Sequence, residues 1–161
     1  MTSPKPVAGT RAPFQVLVLP FRRSGPAVKY ALFRRTDAGY WQGIAGGGES
    51  GETPPMAARR ETFEESGILP TAALYELSMR SHVPVTEFEA RAYWPRDLYV
   101  IPEYAFAVEA ETSSLILSDE HMSAEWLSEE EAIARLHWQT NKVALWELAQ
   151  RIRDDTLIPA E

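Results

Sequence analysis

The chain has 161 residues, no cysteine and a formal net charge of −7 at pH 7. That length suits one domain with a sizeable core, and the absent thiols exclude disulfide frameworks, thiolate metal sites and cysteine nucleophiles. The acidic balance argues against a nucleic-acid polymer as partner, and no apolar run nears the roughly 20 residues that span a bilayer, so the expectation is a cytoplasmic protein with a small-molecule partner and no membrane contact.

Residues 1–13 hold three prolines and little to bury, and are expected to form a flexible tail ahead of a single domain over 14–161. Phe14 to Leu19 is a short β-rich run, and Val28 to Arg34 alternates well enough to be its partner strand across a loop at 22–27. Thr36 to Gly39 is turn chemistry that delivers Tyr40 and Trp41. Either ring has the shape to stack on a base, and either can simply pack.

The stretch from Gly46 to Ile68 looks like a phosphate-handling glycine loop feeding a helix. Thr53 suits the N-cap, Pro54 the first turn and Gly67 the position just past the end, so Pro54 to Ser66 is expected to be helical. On it Glu61, Glu64 and Glu65 stand at i, i+3 and i+4, on one face. Like charges so close repel, and near a helix C-terminus the macrodipole disfavours them further. A hard divalent cation would offset both effects, since Mg²⁺ takes oxygen ligands from a few carboxylates plus substrate phosphates. The plain alternative is a solvated acidic face. Met56 and Phe63 are expected to bury the opposite side. Gly46, Gly48 and Gly51 also fit the dinucleotide pattern G-x-G-x-x-G, but Glu49 and Glu52 make that loop a poor seat for an uncompensated pyrophosphate.

Downstream, Ala73 to Val85 reads as a strand, 86–97 as an irregular, aromatic-rich segment able to wall a substrate or form a surface hairpin, and Leu98 to Ala110 as a strand. Pro102 argues for an edge or bulge near its start. Ala124 to Leu127 is a short strand. Ser128 and Glu131 make a capping box for a helix over Glu129 to Leu136, which accounts for the acids there, and Asn141 to Asp154 is an amphipathic last helix. None of the serines lies in G-x-S-x-G, so a Ser-His-Asp hydrolase has little support, and two of the three histidines are expected to be ordinary. The element order suits an α/β fold, a mixed sheet flanked by helices.

Gly46, Glu52, Arg60, Glu61, Phe63, Glu64, Glu65, Ser66, Gly67 and Ile68 together resemble the Nudix box, with Thr62 where that family usually places an apolar residue. The resemblance implies the Nudix fold, a mixed β-sheet sandwich flanked by α-helices, and hydrolysis of a phosphoanhydride in a nucleoside-diphosphate-linked substrate. It implies Mg²⁺, with Mn²⁺ able to substitute, held by Glu61, Glu64 and Glu65. Glu61 is then a ligand or proton acceptor and Arg60 orients the acids with Glu52 as partner. Main-chain carbonyls near Ala45 and Gly46 complete the metal shell. Glu120 is a candidate acid outside the box, acting as ligand or general base, or else a solvated loop residue. Trp41, Gly46 and Gly47 are the candidate substrate contacts. Tyr40-Trp41-Gln42, Glu120-His121 and Trp138 with Asn141-Lys142 are similar to the bacterial dihydroneopterin triphosphate pyrophosphatase branch, which also acts on dATP. Rival substrates are dinucleoside polyphosphates, ADP-ribose and other nucleotide sugars, and oxidised nucleotides. A catalytically quiet nucleotide sensor is a further alternative, and a homodimer is left open.

Overall fold

The computed structural model describes residues 10–161. Its organising strand is β1 (Arg11–Ser24), whose second half turns at Gly25, φ +60°, into the antiparallel β2 (Ala27–Arg35), with Ser24 opposite Ala27. The expected loop at 22–27 therefore shrinks to Gly25 and Pro26. The strand also starts at Arg11, inside the stretch expected to be tail; residues 1–9 lie outside the described residues. β3 (Trp41–Gln42) pairs with β2, and β4 (Ile44–Glu49) pairs with the first half of β1.

After α1 (Pro54–Ser66) come β5 (Leu74–Pro84) and two 3-10 turns, Val85–Glu87 and Glu89–Tyr93, in place of the irregular segment. β6 (Val100–Glu109) runs antiparallel to β5 and, from Glu103 on, parallel to β1, so it is central along most of its length and an edge at its start, as expected from Pro102. Pro102 is tolerated because pairing with β1 begins only at Glu103, so its missing N–H falls where that neighbour is absent. β7 (His121–Leu127) adds to β2, and α2 (Glu129–Arg135), α3 (Gln139–Asp154) and β8 (Ile158–Pro159), which joins β5, complete the fold. The sheet order is β3-β2-β1-β6-β5-β8, with β4 on β1 and β7 on β2.

Alternation along β1 divides the core into two layers. Leu17, Leu19 and Phe21 join Leu32, Leu145 and Leu148 on the α2/α3 side, whereas Val16 and Val18 join Phe33, Ile44 and Phe106 on the α1 side. Each such side chain, fully buried, contributes about 1.5–3 kcal/mol of gross hydrophobic stabilisation. The face α1 turns inward is small and polar: Ala57, Ala58, Glu61, Thr62, Glu65 and Ser66. Met56 and Phe63, expected to be the buried pair, are 53% and 47% exposed. Ala57 and Ala58 let the helix lie close to the sheet, and that closeness draws the acids on the same stripe into the interior.

Candidate active site

The glycine-rich stretch is not a loop. Gly46, Gly47 and Gly48 lie in β4, hydrogen-bonded to β1, and only the turn at Ser50 to Glu52 separates strand from helix. The helix N-terminus is also closed to an anion. Pro54 and Pro55 carry no N–H, Thr53 Oγ1 accepts from Met56 N, and Thr53 O accepts from Ala57 N. This removes the dinucleotide reading as well as the phosphate-loop one. At the other end Gly67, φ +76°, donates its N–H to Phe63 O and ends the helix in the left-handed conformation expected of it.

The glycines make room for side chains instead. A Cβ on Gly46 would lie 2.2 Å from Glu61 Cδ, so the strand's bare backbone is the seat of the Glu61 carboxyl. Burial pushes that carboxyl up to about 7; Arg60 works against this, and Glu64 and Glu65 add to it. Arg60 is the clamp of the site. Its Nε and Nη2 grip Glu52 at 2.9 Å each, Nη2 also donates to Gly47 O at 2.9 Å, and Nη1 bridges Glu61 at 3.0 Å and Glu64 at 3.3 Å. Hydrogen bonding to Glu52 holds the guanidinium firmly charged. Burial pushes Glu52 upward, but Arg60 and the Glu49 N–H outweigh it and its net shift is downward.

Glu65 is fixed differently. Its Oε2 accepts from Ser118 Oγ and lies 3.1 Å from His121 Nδ1, and the same Ser118 Oγ accepts from Glu120 N at 3.3 Å. Burial opposes the charged form, and the bonds from His121 and Ser118 outweigh it, so the carboxyl stays below its ordinary range. His121 is buried beside Phe33, with no partner for Nε2 among the described residues. Sequence reasoning gave Glu120 a role in the site but none to Ser118, and named His121 only as part of a family-like patch. The signal was the dipeptide Glu120-His121, whose second member turns inward at the start of β7.

Glu61, Glu64, Glu65, Arg60, Glu120, Gly46 and Gly47 are thus gathered at one end of α1. Trp41 is not with them: it packs on the α2/α3 cluster, with the Arg135 guanidinium 5.4 Å from its ring. His137 stacks on Tyr40 at 4.3 Å, and His82 is exposed. Among the described residues no three acids or imidazoles already converge on one ion-sized point. The donor chemistry nevertheless fits a hard divalent cation: three carboxylates, one of them raised by burial and like charge, the condition a cation relieves.

This α/β sandwich draws Glu61 and Glu65 inward along one helix, with Arg60 tying Glu61 and Glu64 to β4 and with His121 and Ser118 fixing Glu65, an arrangement suited to charged, oxygen-rich groups. The NUDIX domain model matches residues 13–146. A putative NUDIX hydrolase from Listeria monocytogenes superposes with a TM-score of 0.81 at 36% identity, covering 91% of this chain and 99% of that one. The dihydroneopterin triphosphate diphosphatase of Escherichia coli K12 is 29% identical over 139 residues, 84% of this chain and 91% of that protein. An octanoyltransferase of Myxococcus xanthus is 33% identical over 118 residues, a match spanning 71% of this chain but only 30% of that protein's length. The chain belongs to the Nudix family, as a hydrolase of nucleoside diphosphate-linked substrates. Nudix hydrolases generally use divalent metals such as Mg²⁺. No helix among the described residues is long and apolar enough to cross a membrane.

Proposed function

We propose that this hydrolase opens a phosphoanhydride of dihydroneopterin triphosphate or of a (d)NTP such as dATP, releasing the monophosphate and pyrophosphate. The observation that carries the reading is the Glu61 carboxyl, seated on Gly46 and raised by burial among its neighbours. The substrate class is supported by the Escherichia coli diphosphatase, which this chain matches over most of both lengths. Glu61, Glu64 and Glu65 are the residues that would hold Mg²⁺ or Mn²⁺. Such an ion, when bound, would supply a lowered water pKa and screening of the phosphoryl oxygens.

The chain's own residues do the rest. Arg60 ties Glu61 and Glu64 to Glu52 and to the backbone of β4, so the acids keep their spacing when substrate charge arrives. His121 and Ser118 hold Glu65 in one rotamer. Glu120, whose N–H bonds the same Ser118 Oγ that donates to Glu65, is the acid that takes a proton from the attacking water or serves as a further ligand.

The test is turnover in Mg²⁺ on dihydroneopterin triphosphate, dATP, diadenosine tetraphosphate and ADP-ribose, with products resolved, for the wild type and Glu64→Gln. Pyrophosphate plus monophosphate from the first two substrates, lost by orders of magnitude in Glu64→Gln with the fold kept, is the expected result. Preference for either of the last two substrates moves the substrate assignment. Tight binding without turnover makes the protein a sensor, and an undiminished Glu64→Gln overturns the ligand assignment.

A further inference from the structure

A row of polar side chains crosses the sheet where apolar ones are the rule. Strand register places Gly47, Gln15, Glu103 and Ser81 abreast on β4, β1, β6 and β5. By alternation they share the face of Leu17 and Ala105, one step beyond the α3-covered cluster to which those two belong. The place of a Gly47 side chain is taken by Arg11, whose Nε lies 1.9 Å from where a Cβ would be. Arg11 donates to Gln15 Oε1 at 3.0 Å, packs its guanidinium 5.2 Å from the Phe88 ring, and keeps a buried Nε without a partner.

Glu103 is the anomaly. Its one hydrogen bond among the described residues comes from Ser81 Oγ at 3.4 Å, and no cation pairs with it there. Burial pushes its carboxyl up, and only Ser81 opposes. Glu103 is half-buried on this row with one long donor bond for its two carboxylate oxygens, so it keeps acceptor capacity for a ligand's donors. At the β4 end of the row Arg11 fills the place of a Gly47 side chain, and Gly47 O accepts from Arg60 Nη2 at 2.9 Å, so the row abuts the arginine that clamps the carboxylate helix.

We infer that this row is the subsite for the substrate's heterocycle, in which Glu103 accepts the adjacent ring N–H and amino N–H of a 2-amino-4-oxo ring, as in guanine and the pterins, while Arg11 takes the phosphate nearest the sugar or side chain. Two parallel donors match two carboxylate oxygens. Adenine offers one donor beside one acceptor, and its ring nitrogen would face an oxygen of like polarity. This deepens the hydrolytic reading above and rests on it for the Arg11 role alone.

The experiment compares wild type with Glu103→Gln in two readouts. In Mg²⁺, kcat/KM is measured for dihydroneopterin triphosphate, dGTP and dATP; without metal, affinity is measured for neopterin, guanosine and adenosine, which carry no phosphate. The expected result is a loss of about 10- to 100-fold for the 2-amino-4-oxo compounds in both readouts, carried by KM, with adenine compounds unchanged or improved because an amide can both donate and accept. Equal effects on all bases, or none, overturn the inference. The metal-free binding reads the subsite even if no anhydride is cleaved, so failure of the hydrolytic reading and failure of this one are distinguishable. Should Glu103→Gln fold poorly by thermal melting, Gln15→Leu, which removes the amide next to Glu103 and releases Arg11, is expected to weaken binding of the same bases, and indifference there overturns the assignment equally.

Discussion

Thr62 sits at the centre of α1's inward face, 2% exposed, with an Oγ1 that finds no partner among the described residues. A buried hydroxyl without a hydrogen bond costs more than the methyl that would replace it, so Thr62→Val is expected to raise stability by about 1 kcal/mol with turnover unchanged, read as the shift in urea midpoint. Glu52 makes the opposite case. Its folded pKa lies below the ordinary 4.5, so its pairing with Arg60 contributes stability above that value, lost as pH falls through the folded pKa. Glu52→Gln should flatten the acid limb of melting temperature against pH, and an unchanged limb would assign the acid sensitivity elsewhere.

Among the elements, β3 and its Trp41 distinguish packing from recognition. With the ring on the α2/α3 cluster and Arg135 over it, Trp41→Ala is expected to lose about 2–3 kcal/mol at unchanged KM; a raised KM at unchanged melting temperature would return the ring to the substrate. Helices were the readable elements because their signals are local. Thr53, Gly67 and the reciprocal Ser128–Glu131 box stand within a turn of the ends they fix, and each does so in the structure. The strand β4 was not readable, since its glycines carry turn propensity and become a strand only through β1, which no local pattern announces. The inward face of α1 was misjudged for a related reason: Met56 and Phe63 are the apolar residues, but the sheet's proximity selects the small ones.

For the molecule as a whole, the carboxylates of α1 were visible from spacing, whereas their supports were not. Glu65 meets His121 across 56 positions of sequence, and Arg11 meets Gly47 through a strand pairing. Only the fold brings these together, and it does so on a lattice that already contains a cost, three acids held close with two of them buried. A ligand that binds the folded state alone stabilises it, by about 2.7 kcal/mol at a hundred times its Kd. Mg²⁺ is therefore expected to raise the melting temperature of the wild type and to do so much less in Glu64→Gln; equal shifts in both would place the ion elsewhere.

The strand β1 has neighbours on both sides made at very different times. Its hairpin partner β2 follows at once, and β4 soon after, but the parallel partner β6 exists only when Glu103 and the residues after it have left the ribosome. Until then one edge of the buried run Val16 to Phe21 stands open, a template for any other extended segment nearby. The basic and proline-bearing ends of β1, Arg11 to Pro13 and Arg22 to Ser24, bracket that apolar centre during the wait. A nascent chain halted before β6 would carry the whole of α1 and still be the form of this protein most prone to aggregate.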